Sequence, residues 1–96
     1  MTHCRNVTVV NEAGLHARPC HAIVSLAMGH ACSLRIRSAG EGTRDVNGKS
    51  ILELMTLEAR QGTELELSAD GDGAEELLSG LAELFGSGFG ERESSR

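Results

Sequence analysis

Two segments of this chain place an apolar side chain at every second position, and this alternation limits the fold more than any other feature. The segments are residues 31–37 and 63–69, with apolar side chains at Cys32, Leu34, Ile36, Leu65, Leu67 and Ala69. A strand with this period turns one face toward a core and the other toward solvent. We therefore expect a single sheet that is covered on one face only.

The remaining segments supply two further strands and three helices. β-Branched residues predict a strand over 6–10, and a short strand is expected over 43–46. Apolar residues at helical spacing predict helices from Ala17 to near Gly29, from Ser50 to Arg60, and through Leu77 to Phe85. The order βαββαβα indicates an α+β fold, an open-faced two-layer sandwich whose four-stranded antiparallel sheet carries three helices on one face.

Local signals set the expected ends of these helices. Ser50 is placed as an N-cap, and Glu53 three residues later completes a capping-box pattern. Gly62 is expected to close the helix that Ser50 begins. The first helix should turn one apolar side toward the core, formed by Ala17, Cys20, Ile23, Val24, Ala27 and Met28.

The length of the chain fits one domain with a small core. A chain of 96 residues is too short to divide into two independently buried halves. With two Phe and no Trp or Tyr, the core must be mainly aliphatic. We expect the domain to cover residues 1–90, and residues 91–96 to form a flexible tail because the apolar period is lost there.

The charge of the chain argues against a nucleic-acid partner. The formal net charge is −5 and there is a single Lys, whereas neutralising phosphates requires a basic stripe. Residues 1–50 carry +3 and residues 51–96 carry −8. This division is suited to steering the N-terminal half toward an acidic partner surface, and ordinary solvated charge explains it equally well.

The cysteines and the hydropathy pattern predict a cytoplasmic protein. Cys4, Cys20 and Cys32 are odd in number and have no paired spacing, as expected of reduced thiols. No long apolar run interrupts the sequence, so we expect no membrane insertion. We also expect a monomer.

One motif carries the chemistry, and it reads Gly14-Leu15-His16-Ala17-Arg18-Pro19. His16 stands just before a predicted helix, where unpaired amides and the helix dipole stabilise an anion. The amides of Ala17 and Arg18 and the Arg18 guanidinium could hold phosphoryl oxygens, while Pro19 orders the first turn. A neutral imidazole near pH 7 is both a phosphoryl acceptor and a donor. The alternative is that His16 merely caps the helix.

The motif resembles the active-site signature of HPr, the histidine-containing phosphocarrier family of the bacterial phosphoenolpyruvate-dependent phosphotransferase system. A second stretch, residues 47–57, is similar to the family's signature around a regulatory serine. The resemblance implies that enzyme I phosphorylates His16, that Arg18 stabilises the phosphate, and that a histidine of an enzyme IIA domain receives it. Such a carrier has no independent turnover. The ending of the chain over residues 84–89 is also similar to nitrogen-type paralogues, which serve regulation rather than sugar uptake.

The resemblance also implies a regulatory site and a docking face. Ser50 corresponds to the serine that HPr kinase/phosphorylase modifies, although it fits an N-cap role just as well. The helix after Ser50 is too apolar to bury all of its side chains, so part of it should contact partners. The expected contact residues are His21, Ser25, Met28, Lys49, Ile51, Leu52 and Met55. Coverage of these residues by a loop is the alternative.

Two other sites are considered and rejected. Gly48-Lys49-Ser50 lacks the first glycine of a P-loop, because Thr43 occupies that position. His16 and Cys20 have the spacing of a zinc-binding pair, but a site needs two further ligands. We therefore expect no metal and no cofactor. Three classes of function are compatible with the sequence: a phosphocarrier, a regulatory protein read in its phosphorylated state, and a structural domain.

Overall fold

The computed structural model describes residues 2–39 and 45–90. Four antiparallel strands form one sheet: β1 (Thr2–Thr8), β2 (Ser33–Ser38), β3 (Val46–Asn47) and β4 (Glu64–Asp70), in the spatial order β1-β4-β2-β3. The helices are α1 (Ala17–Met28), α2 (Ile51–Met55) and α3 (Ala74–Gly86), followed by a 3₁₀ turn at Gly88–Gly90. The predicted fold class is confirmed.

The alternating strands lie in the middle of the sheet, as their pattern requires. β4 pairs with both β1 and β2, and Leu34 is opposite Ala69 while Ile36 is opposite Leu67. These side chains are fully buried, whereas the other face of the same strands is polar. On that face Arg37 Nε donates to Glu66 Oε1 at 2.6 Å. The single covered face predicted from the sequence is therefore present.

The helices bury a mainly aliphatic core against the covered face of the sheet. α1 contributes Pro19, Cys20, Ile23 and Ala27, and α3 contributes Ala74, Leu77, Leu78, Leu81 and Phe85. Val24 is partly buried, but Ala17 and Met28 are exposed because they lie at the two ends of α1. Cys20 is completely buried, as expected.

β2 and β4 lie within two residues of their predicted bounds, whereas the other two strands differ by more. β1 begins at Thr2 rather than at residue 6, because its backbone pairs with β4 along the whole stretch regardless of side-chain polarity. Val9 follows the strand and still donates from its amide to the Thr63 carbonyl at 2.9 Å. The strand expected over 43–46 is found at Val46–Asn47, and residues 43 and 44 lie outside the described residues.

The helix that follows Ser50 is shorter than predicted. α2 ends at Met55 rather than at Arg60, and Gly62 does not close it. The amides of Leu57 and Glu58 donate three residues back, to Leu54 and Met55, and Glu58 adopts a φ of 51°. A left-handed residue cannot continue an α-helix, so the chain turns away there.

The predicted tail at residues 91–96 lies outside the described residues. Among the helices of residues 2–39 and 45–90, none has the length and apolar character that a membrane crossing demands.

Candidate functional site

The loop between β1 and α1 is held in one shape at Gly14. This residue has a φ of +72°, a conformation that suits glycine, and its amide donates to the Asn11 carbonyl at 3.2 Å. A Cβ added at Gly14 would lie 2.5 Å from the Ala59 carbonyl oxygen. The loop therefore lies directly on the segment that follows α2, and only glycine fits at the contact.

Two hydrogen bonds fix Leu15, the residue before the histidine. Its amide donates to the Ala59 carbonyl at 2.9 Å, and its carbonyl accepts from the Cys20 thiol, with Sγ at 3.7 Å. Burial raises the pKa of Cys20 to about 11, so the thiol keeps its proton and can act as a weak donor. Leu15 itself is buried. The backbone just before His16 is thus held by hydrogen bonds at both the amide and the carbonyl of Leu15.

His16 is the N-cap residue of α1, with extended backbone angles of φ −86° and ψ −168°. Its side chain is half-buried and makes no capping hydrogen bond to the helix. Ser50 differs in this respect, because its Oγ does cap α2. His16 therefore occupies the capping position without performing the bond that Ser or Asp would make there.

The first turn of α1 presents donors beside His16. The Cys20 amide donates to the His16 carbonyl at 3.2 Å, and Pro19 has no amide hydrogen. The amides of Ala17 and Arg18 have no carbonyl in a preceding turn to donate to. Ala17 and Arg18 are both exposed. An anion beside the His16 ring would meet these amides and the positive end of the helix dipole.

Ser50 forms half of the predicted capping box. Its Oγ accepts from the Glu53 amide at 3.2 Å. Glu53 Oε1, however, accepts from the Asn47 amide at 2.8 Å, and the Ser50 amide donates to the Asn47 carbonyl at 3.1 Å. The Glu53 carboxylate therefore accepts from the amide of Asn47, at the end of β3, and not from the Ser50 amide as a capping box requires.

The predicted partner residues of α1 and α2 differ in their exposure. His21 and Ser25 are exposed, and the exposed fractions are 65% for Met28, 80% for Leu52 and 41% for Met55. In the same part of the chain Ile51 is only partly exposed, because it packs against the core. Three apolar side chains with large exposed fractions thus lie on two helices that contact each other, and we call Met28, Leu52 and Met55 the apolar patch.

The Lys49 side chain is hydrogen-bonded to the protein and does not extend freely into solvent. It is half-buried, and its Nζ donates to the His30 carbonyl at 2.9 Å. His30 follows α1, and its Nδ1 lies 3.2 Å from the Leu26 carbonyl oxygen. Lys49, which precedes α2, is therefore hydrogen-bonded to the segment that follows α1.

Sequence reasoning missed Asn11 and Ala59. Asn11 follows the strand predicted over 6–10, and Ala59 falls in the helix predicted from Ser50 to Arg60, yet both form hydrogen bonds that hold the loop carrying His16. The Asn11 position next to a turn gave a weak local signal, and nothing in the sequence pointed to Ala59. Within residues 2–39 and 45–90 no group of three His, Cys, Asp or Glu residues is arranged to hold a metal.

Known proteins resemble this chain over most of its length. Residues 3–87 match the family model described as PTS HPr component phosphorylation site. The chain is 38% identical to the phosphocarrier protein HPr of Pseudomonas aeruginosa over 91% of this chain and 94% of that protein. It is 34% identical to the phosphocarrier protein NPr of Escherichia coli, covering 95% and 99%.

A solved structure extends the likeness to the backbone. The crystal structure of HPr-C-His from Thermoanaerobacter tengcongensis superposes with a TM-score of 0.84 at 34% identity, covering 94% of this chain and 98% of that one. The family model, the relatives and the shared fold all lead to one assignment. The chain belongs to the HPr family of phosphocarrier proteins of the phosphotransferase system.

Proposed function

We propose that this protein is a phosphoryl carrier in which His16 is the phosphorylated residue. Enzyme I is the donor, and a histidine of an enzyme IIA domain is the acceptor. The observation that carries the proposal is the position of His16, a half-buried N-cap residue that does not cap, beside the first-turn amides of Ala17 and Arg18. We place the protein in the cytoplasm, acting as a monomer without turnover of its own.

The chemistry requires one bond to form as another breaks. A ring nitrogen of neutral His16 attacks phosphorus on the phosphohistidine of enzyme I, so that a new N–P bond forms while the donor's N–P bond breaks. The imidazole proton leaves to solvent or to the departing ring. Transfer to enzyme IIA repeats the same exchange in the opposite sense. The two amides and the Arg18 guanidinium hold the phosphoryl oxygens in both steps.

The docking face in this proposal combines the apolar patch with polar neighbours. Met28, Leu52 and Met55 supply exposed apolar area, and Met suits a surface that must fit more than one partner. His21 and Ser25 are exposed on α1 and belong to the same face. Ile51 and Lys49 are only partly exposed, so they contribute less of their surface to this face.

The decisive experiment is phosphorylation of the purified protein by enzyme I and labelled phosphoenolpyruvate. The parent should take up acid-labile label, and His16→Ala should take up none. His21→Ala is the matched control, because His21 is an exposed histidine on the same helix. Label retained by His16→Ala would refute His16 as the phosphorylated residue. An unlabelled parent would refute the proposed carrier function.

Arg18 is tested by the rate of the same reaction. Arg18→Ala should slow transfer while leaving the fold intact, because Arg18 is exposed and only its contact with the phosphate is lost. Arg35→Ala removes the same charge from the polar face of the sheet and serves as the control. Equal rates for the two variants would contradict the assigned role of Arg18.

A second candidate function is regulation through Ser50. Ser50 is half-buried and stands two residues from Leu52, the most exposed member of the apolar patch. A phosphate at Ser50 would place negative charge beside this patch and beside the Glu53 carboxylate, opposing the docking of acidic partners. The test is incubation with HPr kinase/phosphorylase and ATP, comparing the parent with Ser50→Ala. Absence of label in the parent would eliminate this second function.

A further inference from the structure

Asn11 is the one polar side chain fully buried in the part of the chain that the structure describes, with an exposed fraction of 1%. It lies in the loop that follows β1, three residues before Gly14. Its Nδ2 donates to the Gly14 carbonyl oxygen at 2.8 Å. Burying a side-chain amide in a small aliphatic core costs free energy unless the amide is hydrogen-bonded. The bond to the Gly14 carbonyl offsets that cost.

The oxygen that Asn11 holds is also the acceptor for the histidine backbone. The His16 amide donates to the same Gly14 carbonyl at 3.1 Å. A carbonyl oxygen has two lone pairs and accepts both donors. The side-chain amide of Asn11 and the main-chain amide of His16 therefore share one acceptor, the Gly14 carbonyl oxygen.

The C-terminal turn shields this connection from water. A Cβ added at Gly88 would lie 3.7 Å from Asn11 Cβ, so the turn packs directly over Asn11. The Phe85 and Phe89 rings meet edge to face at a centroid distance of 4.8 Å next to that turn. A hydrogen bond in such surroundings is electrostatically strong and is not exchanged for a bond to water.

We infer that Asn11 is a positioning residue for phosphoryl transfer, acting on His16 through the Gly14 carbonyl. This inference rests on the proposed function of His16. The first-turn amides can meet the incoming phosphoryl oxygens only when His16 enters the helix at the observed angle. Without the Nδ2 donor the Gly14 carbonyl loses one of its two partners, and the loop can rotate away from that entry angle.

The test uses Asn11→Leu, which removes the donor while keeping a side chain of similar size. We expect kcat for phosphorylation by enzyme I to fall about tenfold, the change that about 1.4 kcal/mol in the barrier produces. KM for the protein should stay constant, because Met28, Leu52 and Met55 are unaltered. Hydrogen exchange of the His16 amide should accelerate by a similar factor, and this second readout does not depend on enzyme I.

The controls separate positioning from loss of stability. Ile36→Val also perturbs the core, but on β2, which is separated from β1 and the loop after it by β4. A smaller folded fraction raises the apparent KM and leaves kcat unchanged, so this variant should show no fall in kcat. Asn11→Ala removes the same donor and replaces Asn11→Leu if the latter does not fold.

Two failures can be told apart. A parent protein that enzyme I does not label refutes the proposed function. A labelled parent whose Asn11 variants keep the parental kcat, or show only a raised KM, refutes the positioning role while leaving His16 as the acceptor.

Discussion

Substitution of Gly14 by alanine tests whether the loop shape depends on its contact with the segment after α2. Gly14 has a φ of +72°, and an added Cβ would lie 2.5 Å from the Ala59 carbonyl oxygen and 3.1 Å from Arg60 Cα. Both neighbours are main-chain atoms, so neither can move aside as a flexible side chain would. The loop itself must shift, and the Leu15 bond to Ala59 at 2.9 Å must lengthen or break.

The expected loss of stability has two parts. A non-glycine residue in this conformation costs about 1–3 kcal/mol. Losing the Leu15 hydrogen bond adds about 0.5–1.5 kcal/mol. Alanine also restricts the unfolded chain, which offsets about 0.4–1 kcal/mol. We therefore expect Gly14→Ala to lower the free energy of unfolding by about 2 kcal/mol.

Gly62→Ala provides a matched control. Gly62 also has a positive φ, +91°, but no atom lies within 4 Å of an added Cβ. This variant carries the backbone cost without the lost Leu15 hydrogen bond, so it should be less destabilised by about 1 kcal/mol, or about 4–8 °C in Tm for a domain of this size. Urea denaturation with an unchanged m-value measures the difference.

The same pair of variants is then compared in phosphorylation by enzyme I. Gly14→Ala should be slow even at temperatures where it is fully folded, because the backbone before His16 is displaced, whereas Gly62→Ala should transfer normally. Equal stability and equal transfer rates for the two alanine variants would refute the argument that the Ala59 contact sets the loop.

Three further predictions concern other parts of the molecule. Alkylation by iodoacetamide at mildly alkaline pH should modify exposed Cys4 well before Cys20, because Cys20 is buried and its pKa is raised to about 11. Peptide mass spectrometry measures the two rates, and equal rates would contradict the burial. Ser50→Ala should destabilise the protein by about 1 kcal/mol through loss of the α2 cap, and a urea midpoint equal to that of the parent would show that the cap contributes nothing. Lys49→Met should cost about 0.5–1.5 kcal/mol by removing the bond to the His30 carbonyl, and thermal unfolding that matches the parent would refute that bond.

The elements with a local signal could be predicted from the sequence. The alternation in β2 and β4 determined which face of each strand is buried, because side chains on a strand point to opposite sides with a period of two. α1 and the His16 motif were placed correctly since Pro19 and the apolar spacing act within a single turn. The Oγ of Ser50 caps α2 for the same reason, as the bond spans three residues.

The elements that depend on distant partners were placed incorrectly. The first residues of β1 are polar and gave no strand pattern, yet β4 pairs with them through the backbone. The run after Met55 retains helical composition, so its departure from the helix at Glu58 had no visible cause in the sequence. The next residue, Ala59, has its carbonyl bonded to the Leu15 amide, more than 40 residues earlier in the chain, and no local pattern could reveal that partner.

This hydrogen bond links the segment after α2 to the loop that carries His16. The segment after α2 turns back so that Ala59 can support Gly14 and Leu15, and α2 itself brings Ser50 and Leu52 to the same side of the molecule as α1. A change in α2 can therefore reach His16 through main-chain bonds as well as through surface charge. If it does so, Ser50→Ala should accelerate hydrogen exchange at the Leu15 amide, whose partner is in that segment. A purely electrostatic connection predicts that exchange at the Leu15 amide rises no more than at the amides of β2, which report the loss of overall stability, so the measurement separates the two routes.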